Sequence, residues 1–331
     1  MKFIFVFLIL ISIKVSAQQI QLLTSGTKTS LRGLSVVDNN VIWASGTGGN
    51  IARSTNGGQT FVWIKVKDYE QRDFRDIEAF DSNNAIIMAI AEPAIILKTK
   101  DGGQTWKEVF KDTTKGMFLD AMDFVNNEGV VIGDPVNDKI FMAYTNDFGE
   151  SWKISSVTND IKITPGEAFF ASSGTNIKLQ NNTFPVFVSG GKRSTIFFSS
   201  TAQHALPLVQ GQESTGANSL AISPNNPLHA IVVGGDFSKD TVSTGNCTLL
   251  NLTPFTSQQP ITPPHGYRSC VEYISAKELI TSGTSGVDIS KDGGMNWQLI
   301  SKESFHVCQK AKKTNAVFLA GSNGKIAKLI W

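Results

Sequence analysis

An eight-residue motif recurs four times in this chain, and its spacing limits the folds that the chain can adopt. Each copy has a serine or threonine, an acidic or amide residue two positions later, at least one glycine and a final aromatic residue. The copies are STNGGQTF at 54–61, TKDGGQTW at 99–106, TNDFGESW at 145–152 and SKDGGMNW at 290–297. The final aromatic residues are separated by 45, 46 and 145 residues. The last interval spans about three periods of about 48 residues, which predicts a repeat architecture with two eroded copies of the motif.

Short strand-like segments surround each copy of the motif. In the second unit these segments are RDIEAF, NAIIMAIA, AIILKT and WKEVF, and turn residues separate them. This pattern predicts a four-stranded antiparallel meander. The same template fits units that begin near Leu31, Phe74, Phe118, Glu167, Ala217, Tyr267 and Phe305. The sequence therefore predicts an all-β fold, a seven-bladed β-propeller of four-stranded antiparallel blades.

The two ends of the mature chain are predicted to share the last blade. The seventh unit supplies only three strands, HVCQKA, AVFLAG and KIAKLIW, before the sequence ends at Trp331. The segment QIQLLTS, near the other end, is a strand without a unit of its own. Adding this N-terminal strand to the last blade closes the ring and removes an unpaired edge.

The first 17 residues have the form of a secretory signal peptide. Lys2 precedes an apolar run over 3–13, and the small residues Ser16 and Ala17 come directly before the predicted cleavage site. The apolar run is too short to span a bilayer. We therefore expect a periplasmic or secreted protein without a membrane span, in which residues 18–331 form a single domain.

Composition excludes several classes of partner and cofactor. The net charge of +2, without a basic run interleaved with aromatic residues, does not favour nucleic acid. No sequence motif predicts a metal or a cofactor, and the expected state is a monomer. Cys247, Cys270 and Cys308 are too scattered for a disulfide framework. Buried free thiols are the preferred interpretation, and a bridge between Cys270 and Cys308 stays open.

The motif S/T-x-D-x-G-x-x-W is typical of the Asp-box (BNR) repeat of sialidase-type propellers. The segments RGLSVVDNNVIWASGTGGNIARSTNGGQTF and DFRDIEAFD also resemble the photosystem II stability/assembly factor group. The resemblance implies a binding or assembly function without catalysis. It also implies that the box residues are structural, and these are Asn56, Phe61, Asp101, Trp106, Asp147, Trp152, Asp292 and Trp297.

Resemblance to the sialidases themselves is the alternative. It implies an arginine triad for a substrate carboxylate, a tyrosine nucleophile and an aspartate acid/base. The chain lacks the Arg-Ile-Pro segment that usually precedes their first box. Tyr267 is adjacent to Arg268, so if Arg268 faces the channel, Tyr267 is predicted to pack between blades.

The positions of the boxes indicate where a ligand should bind. Each box is predicted to occupy the turn between the third and fourth strands of its blade. The innermost strands begin at the opposite end of the ring, so candidate ligand residues are expected at those starts. Alignment of the innermost strands places Arg32, Arg75, Leu119, Glu167, Arg268 and His306 at one register, with Asp76 and Asp120 one step further. The loops between second and third strands add other polar residues, including Asp134 and Asp236.

Three interpretations of these charges remain open. They could pair with one another inside the channel, or they could bind an anionic ligand through the arginines. In the third interpretation, Glu167 with Asp76, Asp120 or Asp134 forms the carboxylate pair of a glycoside hydrolase. We favour an exported binding or assembly propeller whose partner is a protein or an anionic glycan or small molecule. The predicted ligand residues are Arg32, Arg75, Arg268, His306, Glu167, Asp134 and Asp236.

Overall fold

The computed structural model of the protein describes residues 18–180 and 184–331. The predicted signal peptide, residues 1–17, lies outside the described residues. Within these ranges the chain forms 29 β-strands, a short 3-10 turn at Ser322–Gly324 and no α-helix. None of the described segments is a helix that could cross a membrane. The predicted all-β fold is confirmed.

The strands follow one another as consecutive antiparallel meanders. The chain begins with β1 (Gln19–Thr24), and blade one contains β2 (Leu31–Val36), β3 (Ile42–Gly46), β4 (Asn50–Ser54) and β5 (Val62–Lys65). Blade two contains β6 (Phe74–Ala79), β7 (Ala85–Ala89), β8 (Ala94–Thr99) and β9 (Lys107–Asp112). Blade three contains β10 (Leu119–Val125), β11 (Glu128–Val136), β12 (Lys139–Thr145) and β13 (Lys153–Ile154).

The second half of the chain repeats this plan with one interruption. Blade four contains β14 (Glu167–Ala168), β15 (Ile177–Lys178), β16 (Val186–Gly191), β17 (Thr195–Phe197) and β18 (Gln203–Ala205). Blade five contains β19 (Thr215–Ser223), β20 (Asn226–Asp236), β21 (Cys247–Leu252) and β22 (Phe255–Gln258). Blade six contains β23 (Cys270–Tyr273), β24 (Leu279–Gly283), β25 (Gly286–Ser290) and β26 (Trp297–Ser301). Blade seven contains β27 (Val307–Lys310), β28 (Val317–Ala320) and β29 (Ile326–Ile330).

The blades form a closed ring. Strand β1 pairs antiparallel with β29, from Gln19 opposite Ile330 to Thr24 opposite Ile326, and completes blade seven as the sequence predicts. Within the described residues, blades four and five are joined into one sheet only by the pair of Gly190 and Gly216. The innermost strands contact one another in the order β2, β6, β10, β15, β19, β23, β27 and again β2. This arrangement agrees with the predicted number of blades.

Apolar side chains from neighbouring blades pack against each other and form the core. Between blades one and two, buried Trp43 and Ile51 join Phe74 and Ile87 in one cluster. Comparable clusters lie between the other blades. The second and third strands of a blade have both faces against neighbouring blades. They are therefore apolar almost throughout, as β7 shows.

The motif turns are held by local hydrogen bonds, as the box of blade two shows. Thr99 Oγ1 donates to Asp101 Oδ1 (2.9 Å) and accepts the N–H of Gly103 (2.9 Å). The N–H of Thr105 donates to Asp101 Oδ1 (2.9 Å), and Trp106 Nε1 donates to the Gly103 carbonyl (3.1 Å). The hydroxyl and N–H of Thr105 lower the pKa of Asp101 to about 2. Each box therefore closes its turn with its own residues.

The other three boxes repeat the backbone bond to the third residue of the box. Trp297 also repeats the indole bond to a glycine carbonyl, whereas Trp152 Nε1 has no partner among the described residues. Asn56, Asp147 and Asp292 each accept the N–H of the residue four positions later, at 3.0, 3.0 and 2.9 Å. The box aromatics Trp152 and Trp297 pack in the clusters of blades three and six, and Phe61 packs against the core near blade seven. All four boxes lie between the third and fourth strands of their blades.

The three cysteines are free and buried in the structure. Cys270 Sγ lies 3.2 Å from the carbonyl oxygen of Cys308, within hydrogen-bonding distance. Among the described residues, no group of three or more potential ligands could hold a metal ion.

Candidate functional site

Four innermost strands carry a β-bulge at the end of the ring opposite the boxes. The register shifts in β2, β6, β10 and β19 leave Arg32, Arg75, Asp120 and Asn218 as the extra residues. A bulge leaves one residue unpaired and turns its side chain away from the regular alternation. The four side chains therefore occupy equivalent positions around the channel, and we call them the bulge residues.

This geometry corrects the predicted register. Asp120, and not Leu119, is equivalent to Arg32 and Arg75. In blade six, the N–H of Arg268 donates to the carbonyl of Gly234, just as the N–H of Leu31 donates to that of Gly321. Arg268 is thus equivalent to Leu31, a residue packed between blades. The position equivalent to Arg32 in blade six is Ser269.

Arg268 is fully buried inside blade six. Its guanidinium forms an ion pair with Asp288, in which Nε lies 2.9 Å from Oδ2. Its Nη1 donates to the carbonyl of Tyr267 and to Ser285 Oγ, both at 2.8 Å. The side chain therefore does not face the channel, and the prediction that Arg268 is a ligand residue is wrong. The two residues face opposite to the prediction. Arg268 is buried inside the blade, and the Tyr267 hydroxyl, which the sequence predicts to lie between blades, contacts Asn218 and Ser172 at the channel.

A segment of blade four crosses the channel. The innermost strand of this blade is interrupted between β14 and β15, and we call residues 169–176 the channel segment. Ser172 Oγ donates to Asn218 (2.7 Å) and Ser173 Oγ to the carbonyl of Ser269 (2.7 Å). The hydroxyl of Thr175 lies 2.7 Å from Ser219 Oγ. The segment thus bonds to blades five and six, and its four consecutive residues 173–176 are buried.

Gly174 allows the channel segment to approach blade two. Its φ is +68°, and a Cβ built on it would lie 2.3 Å from Cγ of Asp76. The two oxygens of Asp76 accept the N–H groups of Ile77 and Met122, both at 2.8 Å. Burial raises the pKa of Asp76 well above its usual range. Asp76 therefore joins blades two and three beneath the channel segment.

Arg32 and Arg75 are neighbours at this end of the channel. Nη1 of Arg32 donates to the carbonyl of Ser172 (3.1 Å), and no described carboxylate lies within 4.0 Å of this guanidinium. Burial and then the positive charge of Arg75 lower the pKa of Arg32. Arg75 Nε pairs with Asp73 at 2.8 Å. This end of the channel, which we call the arginine face, thus holds one unpaired and one paired guanidinium.

His306 lies beside the two arginines of the arginine face. Its Nε2 lies 2.9 Å from Ser322 Oγ and 3.2 Å from Ser30 Oγ. Burial, then Arg32 and Arg75, lower the pKa of His306 to about 3. The ring is therefore neutral at ordinary pH and presents hydrogen-bonding groups without a charge.

An aromatic group borders the same face. Phe237 is 50% exposed, and its ring lies 6.1 Å from Phe170 and 6.2 Å from Tyr267, edge to face in both pairs. The Tyr267 hydroxyl donates to Asn218 (2.7 Å). This hydroxyl also lies 3.4 Å from Oγ of Ser172, the residue that accepts from Arg32. An apolar surface therefore adjoins the unpaired guanidinium, and sequence reasoning missed Phe170 and Phe237.

Acidic residues lie on the other side of the face. Neither carboxylate oxygen of the buried Asp120 has a partner in hydrogen-bond geometry among the described residues. Burial and the charge of the nearby Asp134 raise the pKa of Asp120 well above its usual range, although the neighbouring backbone N–H of Asp134, the charge of Arg75 and the N–H of Ala171 oppose this. Asp134 accepts the N–H of Phe169 (2.8 Å), and burial raises its pKa to about 6.

The remaining predicted acids are engaged near their own blades. Glu167 accepts hydrogen bonds from Ser189 Oγ and from the N–H of Thr164. Asp236 accepts from the hydroxyl of Ser238 (2.7 Å) and from its N–H (2.9 Å). The structure brings Arg32, Arg75 and His306 together and places Asp120 near Arg75.

Similarity to known proteins agrees with this architecture. Residues 62–179 match the family model described as photosynthesis system II assembly factor YCF48. Comparison with curated proteins gives no match.

Three solved structures show the same fold. The structure described as "YCF48 bound to D1 peptide" is 17% identical, with a TM-score of 0.65 over 96% of this chain and 98% of that one. YCF48 from Cyanidioschyzon merolae is 15% identical, with a TM-score of 0.64 over 95% and 98%. The Neurospora crassa Pan2 WD40 domain is 11% identical, with a TM-score of 0.60 over 91% and 89%. The chain is therefore a BNR-repeat β-propeller similar to the photosystem II assembly factors, as its sequence predicts.

Proposed function

We propose that this protein is a non-catalytic, exported binding propeller that holds a segment of a protein partner on its arginine face. The observation that carries the proposal is Arg32, a partly buried guanidinium without a carboxylate partner among the described residues, beside a second arginine. Desolvated cations require an anion or several acceptors. A carboxylate of the partner would supply both, because a guanidinium binds it through two parallel hydrogen bonds.

A peptide suits this face better than a small anion does. The exposed ring of Phe237 and the neighbouring Phe170 offer apolar contact beside the charge. Aromatic and arginine side chains are enriched among the residues that contribute most to protein interfaces. The structurally similar YCF48 has been solved with a D1 peptide, which supports a protein partner for a propeller of this kind.

Export is part of the proposal and rests on the N-terminal sequence. A leader over residues 1–17 would deliver the propeller to the periplasm or the medium. N-terminal sequencing of the protein recovered from these fractions should begin at Gln18. Recovery from the cytoplasm with Met1 intact would overturn this part.

Selection of random peptides on the folded propeller tests the binding function even while the natural partner is unidentified. We expect the recovered peptides to be rich in Asp and Glu, and their affinity is measured by fluorescence anisotropy. Arg32→Gln should weaken binding at least about tenfold, because a hydrogen bond to a charged group contributes about 1.5–3 kcal/mol. Arg75→Gln should have an effect of the same sign.

Lys291→Gln is the matched control. Lys291 is exposed and lies in the box of blade six, at the other end of the ring, so its loss removes one positive charge without touching the arginine face. Thermal unfolding of each variant shows whether it is folded under the assay conditions. The proposal is wrong if folded Arg32→Gln and Arg75→Gln bind the recovered peptides as tightly as Lys291→Gln does.

A further inference from the structure

A cavity opens at the box end of the channel, away from the arginine face. Its volume is about 610 Å³, and apolar groups of Val125, Leu179, Ile222, Pro224 and Tyr273 line it. These residues belong to the ends of the innermost strands of blades three to six and to the turns that follow them. A concave, mainly apolar space of several hundred Å³ with a few polar groups is typical of small-molecule sites.

The channel segment separates this cavity from the arginine face. The chain runs from Ser172, whose carbonyl accepts from Arg32, through the buried Thr175 and Asn176 to Lys178 in the cavity wall. The arginine face and the cavity therefore carry different chemical groups, and a ligand can bind in the cavity without contact with the arginine face.

One of the two charged groups in the cavity wall already has a partner. Lys178 Nζ lies 3.3 Å from Asp123 Oδ1, and Asp123 Oδ2 accepts the N–H of Leu179 (2.7 Å). Burial acts to lower the pKa of Lys178, but the attraction of Asp123 and of Glu272 outweighs it, so the pKa rises. The ammonium group is thus held by its own protein and is not free for a ligand anion.

Glu272 is the charged group without a partner among the described residues. This partly buried carboxylate lines the cavity, and no cation lies within 4.0 Å of it among the residues that the structure describes. It also accepts no hydrogen bond in the described part of the chain. Burial raises the pKa of Glu272 to about 6, although Lys178 and Lys310 act from a distance to lower it. A partly desolvated carboxylate that lacks a donor is stabilised by any ligand that brings one.

We propose that this cavity binds a small organic cation, a primary amine on an apolar body, whose ammonium group pairs with Glu272. The apolar wall, which includes Tyr273, takes the body of the ligand. The site is independent of the peptide-binding function proposed for the arginine face.

A pair of probes with the same apolar body and opposite charge tests the proposal. Binding of phenylbutylamine and of phenylbutyrate to the mature protein is measured by isothermal titration calorimetry near pH 7.5. The amine should bind at least about tenfold more tightly than the carboxylate, because only the amine can donate to Glu272. The affinity for the amine should fall as the pH drops below about 6, where Glu272 becomes protonated.

Two variants and a control locate the site. Glu272→Gln should reduce the affinity for the amine about tenfold. Ile222→Trp should abolish binding, because the larger side chain fills the apolar part of the cavity. Glu278→Gln removes a partly exposed carboxylate that lies in the same blade but does not line the cavity, and it should change nothing. Equal binding of the two probes, or unchanged binding of the amine by Glu272→Gln and Ile222→Trp, would overturn the proposal.

Discussion

The channel segment makes a quantitative prediction at Gly174. The substitution Gly174→Ala places a methyl group 2.3 Å from Cγ of Asp76 and 2.5 Å from both of its carboxylate oxygens. Asp76 cannot move aside freely, because two backbone N–H groups hold its oxygens. The added methyl group should therefore push the segment and blade two apart and lower the free energy of unfolding.

Two effects contribute to the loss of unfolding free energy in Gly174→Ala. A side chain at positive φ costs about 1–2 kcal/mol, and forcing an extra methyl group into a packed site costs about 1–3 kcal/mol. Gly116 provides the matched control, since it also has positive φ (+82°) but no atom within 4 Å of the position that an added methyl group would occupy. Gly174→Ala should therefore cost about 2–5 kcal/mol and Gly116→Ala only about 1–2 kcal/mol.

Urea unfolding followed by tryptophan fluorescence measures both variants. A double variant with Asp76→Ala separates the clash from the backbone term, because removal of the carboxylate should make Gly174→Ala less costly than it is alone. Equal unfolding free energies for Gly174→Ala and Gly116→Ala would refute the close approach between the channel segment and blade two.

Two further predictions concern charged groups. His306 has a folded pKa of about 3, below its ordinary 6.5, so the unfolded chain protonates first, and the stability present above about pH 6.5 is lost progressively as the pH falls. NMR should show that His306 does not titrate between about pH 8 and about pH 5, and His306→Gln should reduce the acid sensitivity. Arg268→Met should cost about 3–5 kcal/mol by removing the guanidinium from the buried Asp288 and leaving it only His265, whose Nδ1 lies 2.6 Å from Oδ1, with partial recovery in Arg268→Met/Asp288→Leu. A loss below about 1 kcal/mol in urea unfolding would contradict the buried pair.

Sequence reasoning reaches the site only in part. It selects Arg32 and Arg75 correctly as neighbours, because both follow an apolar residue at the start of a clear repeat unit. It misplaces Arg268 by one residue, because in blade six the position equivalent to Arg32 is a serine and the arginine fills the position before it. A shift of one residue moves a strand side chain to the other face. The sequence pattern therefore does not show whether Arg268 belongs to a buried ion pair or binds a ligand in the channel.

The box motifs and their period were sufficient to predict the propeller and the closure by the N-terminal strand. The blades depend on contacts that are local in sequence, such as the turn bonds of Asp101, and on strand patterns that repeat in every blade. The closure joins the two ends of the chain, from Gln19 to Ile330, and it is predictable because the last unit lacks one strand. The channel segment, the unpaired Arg32 and the cavity at Glu272 depend on residues from several blades, far apart in sequence. Only the tertiary structure decides these contacts, because closure of the ring determines which of the distant polar groups meet a partner.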